Sequence, residues 1–152
     1  MVIKKYIKDV LKSFTCGALI GSICCCYAVN ATAASAHGPS KTVNVNGVSF
    51  TMQNSMHTGN YYANAYTYNT ASQSVDTGWI GVKPMMYSSD GNVSEEGYWH
   101  YSQNISSGVS AYAGRDYYLP DYYYSWGYAH VWNGSDYDEY RPERTPNLRP
   151  ET

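Results

Sequence analysis

The sequence predicts an all-β fold, a small antiparallel β-sandwich or partly open barrel, and three observations carry the prediction. Large and small or polar residues alternate at period two over several short stretches, the pattern of half-buried strands. Asn-Gly and Asp-Gly pairs and scattered glycines punctuate the chain at short intervals. No stretch sustains apolar residues at the spacing of three and four that a helix needs.

The strands follow in order. Residues 42–45 and 48–52 alternate on either side of Asn46-Gly47. A two-residue hairpin loop requires positive φ at both central residues, which Asn and Gly tolerate best, so this is the strongest hairpin signal in the chain. Residues 61–67 alternate Tyr and Asn with Ala and Thr. Residues 78–87 read as a strand interrupted by Pro84; a proline cannot donate to a ladder, so an edge or a bulge is expected there. Ser89-Asp90-Gly91-Asn92 is a turn. Residues 98–102 and 108–114 are further strands, and 122–132 is the longest, ending at Asn133-Gly134. The last stretch, 141–152, has three prolines and five charges; it reads as an extended tail, paired at its start and loose at its end.

Residues 117–134 contain six tyrosines, two tryptophans and a histidine, a density that asks for an explanation. On a strand, Tyr122, Tyr124, Trp126, Tyr128, His130 and Trp132 share one face, while Tyr123, Ser125, Gly127, Ala129 and Val131 share the other. Bulk argues that most of these rings fill the core, since each buries roughly 150–250 Å² and large exposed apolar patches are rare without a function. The alternative is that the small faces pack sheet against sheet and the rings form an exposed platform. The rings nearest the Asn133-Gly134 turn are the best placed to hold a ligand, so Tyr124, Trp126, Tyr128, His130, Trp132 and Asn133 are the candidate binding residues. Pyranoses offer apolar C–H faces that stack on Trp and Tyr, and Asn133, Asp136, Asp138 and Glu139 lie where they could take hydroxyls.

The first third predicts the compartment. Lys4, Lys5, Lys8 and Lys12 precede an uncharged, mostly apolar run at 14–29, which is followed by Ala31-Thr32-Ala33-Ala34-Ser35-Ala36. A basic start, an apolar middle and a small-x-small end make a secretory signal peptide over residues 1–36, with cleavage after Ala36 or, by the same spacing, after Ala33. The run falls short of the ~20 apolar residues of a membrane span, so no stable membrane insertion is expected after cleavage. All four cysteines (Cys16, Cys24, Cys25, Cys26) lie in this leader. The mature chain would then hold its β domain, residues 37–140, together without disulfides.

Past residue 36 there are six basic and eleven acidic residues, a net charge of −5. Nucleic-acid binders usually show a basic patch, so nucleic acid is not an expected partner. The motifs of common catalytic classes are missing: there is no Gly-x-Ser-x-Gly, no Gly-rich phosphate loop and no His-Glu-x-x-His. Glu95-Glu96 follows a turn and reads as a solvated loop rather than an acid/base pair. His57, His100 and His130 are scattered and read as ordinary surface or half-buried residues, so no metal and no cofactor is expected.

Gly78-Trp79-Ile80-Gly81-Val82, the Asp90-Gly91 turn, Gly97-Tyr98-Trp99, Tyr124-Ser125-Trp126-Gly127, Trp132-Asn133-Gly134 and Thr145-Pro146-Asn147-Leu148 together resemble small exported β proteins of Gram-positive bacteria. More distantly, Glu96-Gly97-Tyr98-Trp99 and the Ser- and Tyr-rich run after it are similar to lactococcin 972-like bacteriocins, which are exported, cysteine-free β-sandwiches. That likeness implies a cell-wall-precursor target. The expectation is a secreted, extracellular, non-catalytic protein that binds a cell-wall glycan or another envelope component through aromatic residues, with a bacteriocin-like antagonist as the alternative.

Overall fold

The computed structural model describes residues 33–116 and 121–151. The predicted leader, up to residue 32, lies outside the described residues. Among them there are twelve strands and no helix. The strands form antiparallel sheets, sandwich-like and not closed into a barrel, as the sequence predicts.

The first layer is one sheet. Strands β1 (Ala34–His37) and β2 (Lys41–Val45) both pair with β3 (Val48–Gly59), which pairs with β4 (Tyr62–Val75), which pairs with β9 (Ser106–Asp116). Asn46 and Gly47 take φ of 53° and 79° and join β2 to β3 as the Asn-Gly pair predicts. β1 spans the expected cleavage point after Ala36, with Ala34 opposite Thr58 and His37 opposite Ser55.

The second layer is bent. Its four-stranded part runs β12 (Tyr137–Tyr140), β11 (Tyr128–Trp132), β5 (Ile80–Lys83), β8 (His100–Tyr101). Its three-stranded part runs β10 (Tyr123–Ser125), β6 (Met85–Ser88), β7 (Val93–Glu96). The single long strand expected over 122–132 is two, broken at Trp126-Gly127. Pro84 breaks the neighbouring strand at the matching level, between β5 and β6. Pro84 therefore marks a bend in the middle of a layer, not an edge. A Cβ on Gly127 would run into Thr67 Oγ1 of the first layer and sit 2.5 Å from Lys83 O, so the bend brings the layers together where only glycine fits. Glu95-Glu96, expected in a solvated loop, belongs to β7 and pairs opposite Met86 and Met85.

The inner faces correct the main packing expectation. Most rings do not fill the core. The core is Phe50, Met52, Met56, Ile80, Val82, Met86 and Val131, all but wholly buried, against the small faces Ala63, Ala65 and Ala129. Each large side chain there stabilises by about 1.5–3 kcal/mol. Tyr123 is the one buried tyrosine of these inner clusters, with Trp79 and Tyr140 packed against them partly exposed. Tyr66, Tyr68, Trp126, Tyr128 and Trp132 point outward and are half-buried. The reason is volume: β3 and β5 supply long aliphatic side chains, so the faces opposite them must be small.

The centre is also polar. Asn54 is fully buried and makes four hydrogen bonds. Its Nδ2 donates to Pro142 O (3.1 Å) and Glu143 O (3.0 Å), and its Oδ1 accepts from Thr67 Oγ1 (3.0 Å) and Gly127 N (3.1 Å). One side chain thus joins β3, β4, the bend of the second layer and the C-terminal segment. That segment is not loose at its end. Thr145 and Leu148 donate backbone N–H groups to Ser125 O and Tyr123 O, and Glu151 O accepts from Tyr61 N. Residues 142–151 lie between β10 on one side and Asn54, Thr58 and Tyr61 of the first layer on the other.

Candidate ligand-binding face

The even-numbered side chains of residues 122–132 share the outer face of the second layer, but the bend divides them into two groups with different surroundings.

In the first group Tyr124 is buried and stacks on Tyr87 at 5.3 Å, with Met85 beneath and Trp126 and Tyr128 packed alongside. The Arg141 guanidinium lies 3.3 Å from the Trp126 ring centre and 4.5 Å from that of Tyr128. Its Nη2 donates to the Tyr87 hydroxyl (2.7 Å) and to Trp126 O (3.3 Å). Burial pushes the Tyr87 hydroxyl up, against the opposing pull of Arg141. Of the three candidate residues here, Trp126 and Tyr128 are covered by Arg141 and Tyr124 by Arg144, 4.6 Å from its ring centre.

The second group is built around His130. Its ring stacks on Trp99 at 3.6 Å and on Tyr137 at 5.2 Å, and Trp132 meets Tyr137 edge-on at 5.3 Å. His130 Nδ1 lies 2.9 Å from the Tyr101 hydroxyl and Nε2 lies 3.3 Å from Glu139 Oε2. The Nε2–H tautomer satisfies both: Nδ1 accepts from the phenol and Nε2–H donates to the carboxylate. Burial raises the Tyr101 pKa, with Tyr137 and Glu139 adding to the rise, so its hydroxyl stays a donor. Gly81 makes the arrangement possible: a Cβ there would lie 2.6 Å from the Tyr101 ring, which crosses β5 at this point to reach His130 on β11. The Tyr137 hydroxyl donates to Gly78 O at 2.7 Å and fixes that ring from below.

A shallow depression lined by Lys83, Glu96, Gly97, Tyr98 and Trp99 borders this stack. Tyr98 is 86% exposed, and Lys83 and Glu96 form an ion pair across the rim. Rings with open faces, an ion pair and the Glu139 carboxylate therefore lie within one patch.

Asn133 does neither job. Its Oδ1 accepts from Ser135 N, Ser135 Oγ and Asp136 N, all at 3.0 Å, and its Nδ2 donates to Asp138 Oδ1 at 2.8 Å. Its amide is committed to the turn before β12. Trp99, Tyr101 and Tyr137 were not singled out from the sequence as site residues. The Tyr98-Trp99 pair was a usable signal, because two adjacent large rings just after a glycine cannot both enter a core. Tyr101 and Tyr137 carry no local signal, since each reaches His130 from a different strand.

The fold and this face define the class: an antiparallel sandwich with small inner faces and a ring-covered outer face. No protein-family model, no curated protein and no solved structure matches the chain.

Proposed function

We propose that this is an exported, non-catalytic protein that binds a glycan-type ligand of the cell envelope on the outer face of its second layer. The observation that carries the reading is the half-exposed stack of Trp99, His130, Tyr137 and Trp132, set beside the exposed Tyr98. A pyranose lays its C–H face on such rings, while Glu139, Lys83 and Glu96 at the rim exchange hydrogen bonds with its hydroxyls. Hydrogen bonds from Tyr101 to His130, from His130 to Glu139 and from Tyr137 to Gly78 O hold the rings in place before the ligand arrives, which lowers the entropy cost of binding. Export rests on the basic, apolar and small-residue order of the leader. The non-catalytic reading rests on the absence of nucleophile and metal-protease motifs from the sequence.

The test is retention of the mature protein on purified cell-wall sacculi and on soluble neutral oligosaccharides. Trp99→Ala and Trp132→Ala should each weaken retention about tenfold, the loss of roughly 1.4 kcal/mol of stacking. Both variants should keep the circular dichroism of the parent. A folded parent that is retained on no glycan sinks the reading. Steady release of sugar products would make the protein an enzyme, and killing of related bacteria would favour the antagonist.

A further inference from the structure

We propose that the C-terminal arginines form a second binding site, an arginine stripe laid over aromatic rings that holds an extended polyanion carrying a phosphate or carboxylate at each repeat. The inference stands on the geometry around β10 and not on the Trp99 stack.

Residues 141–151 run alongside β10, and the three arginines of this segment lie in order near rings on and beside that strand. Arg149 lies 5.9 Å from the Tyr122 ring, Arg144 lies 4.6 Å from Tyr124, and Arg141 lies 3.3 Å from Trp126. From Tyr122 to Trp126 is about 13 Å along an extended strand, enough for several repeats of a polymer. Tyr124, Trp126, Arg141, Glu143 and Arg144 line a shallow depression on this face.

The arginines are under-used for a protein of net negative charge. Among the described residues none of the three is paired with a carboxylate; Lys83 is, with Glu96. Arg141 Nε is buried and has no hydrogen-bond partner. Beyond its ring contact, the Arg144 side chain has one hydrogen bond, from Nη1 to Asn147 Oδ1 at 3.4 Å. Arg141 is a half-buried cation without a counter-charge, which costs free energy that a nearby bound anion recovers.

The stripe also indicates what does not bind. A guanidinium lies over Trp126 at 3.3 Å and over Tyr124 at 4.6 Å, so the covered face of each ring cannot stack on a neutral sugar or a nucleobase. Arg144 and Arg149 are exposed and can offer guanidinium N–H edges that match carboxylate and phosphate oxygens in bidentate fashion, while Arg141, with Nε buried and Nη2 bonded to Tyr87 and Trp126 O, adds positive charge beside them.

The experiment measures binding of the full mature protein to long-chain polyphosphate and to polygalacturonate across a salt series. Chitohexaose serves as the neutral control and single-stranded poly-dT as the nucleic acid. The parent should bind at least one polyanion, with affinity falling as salt rises. Arg144→Gln and Arg149→Gln, both on exposed side chains, should each weaken it about three- to tenfold without changing the thermal midpoint. Glu143→Gln should tighten it about threefold, because it removes the one like charge in the depression. Binding of polyphosphate alone assigns a phosphate polymer and of polygalacturonate alone a carboxylate polymer. Trp99→Ala should leave polyanion binding unchanged, so a failure of the neutral-glycan reading and a failure of this one are separate results. A parent that binds neither polyanion, arginine variants that bind as well as the parent, or tighter binding of poly-dT overturns the proposal.

Discussion

The two ends of the second layer's outer face carry the same kind of side chain and put it to different uses. Around Trp126 the rings are closed over by Arg141, which is stacked on indole and hydrogen-bonded to Tyr87. Around His130 the rings stack on one another, hydrogen-bonded from behind, and border a depression with the exposed Tyr98. Period-two alternation sends both sets outward, so alternation does not decide which is available to a ligand. The return of the chain decides it: residues 141–151 cross the Trp126 end and leave the His130 end uncovered. A cation over a desolvated ring is worth about 1–2 kcal/mol, so the covered rings are stabilised by the chain itself, while the rings around His130 have no such cover.

The largest effect is expected at the residue that ties the bend at Gly127 and the returning tail to the first layer. Asn54→Ala leaves Thr67 Oγ1, Gly127 N and two tail carbonyls without their partner. It should cost about 3 kcal/mol or more, read as a drop in the denaturant midpoint, with the tail becoming sensitive to carboxypeptidase. Next in size is the contrast between the two tryptophans. Trp126→Ala removes the ring beneath Arg141 and should destabilise by about 2–3 kcal/mol, whereas Trp132→Ala, at the margin of the open stack, should cost about 1 kcal/mol while weakening glycan retention. Equal stability losses at the two sites would show that the ends are not specialised.

The smallest effect lies on the first layer, whose outer face has a third ring set: His57 meets Tyr66 edge-on at 5.0 Å and His37 at 6.2 Å. Burial, with His37 adding to it, holds the His57 pKa below the ordinary histidine value. The folded state therefore resists a proton that the unfolded chain accepts. The associated stability is fully present above the unfolded pKa of about 6.5 and is lost as pH falls through the lower folded value. A thermal midpoint measured at pH 7.5 and again at pH 5 should fall slightly more for the parent than for His57→Gln. The side chain is only partly buried, so solvent screening keeps the difference small.

Part of the candidate site was legible. The parity of Tyr124, Trp126, Tyr128, His130 and Trp132 is a local property of an extended chain, and it persists through the break at Gly127. The hairpin at Asn46-Gly47 is equally local. Three strands were missed, and one of them, β1, falls largely within the stretch read as the leader. β12, Tyr-Asp-Glu-Tyr, and β7, Val-Ser-Glu-Glu, have little apolar content of their own and exist as strands because β11 and β6 supply their hydrogen-bond partners. The tail misled for the same reason. Its prolines and charges resemble those of a loose end, yet Asn54, 88 residues earlier in the chain, binds its carbonyls.

By itself the sequence determined the all-β class, the turns and which side chains of each strand lie together, because these follow from backbone geometry over a few residues. Only the tertiary structure decided which face of each strand is inside, that the rings are on the outside, and which of them the chain keeps for itself. Those outcomes depend on the volume already supplied by Phe50, Met52 and Ile80 across the core, and on where an arginine far along the chain returns to lie.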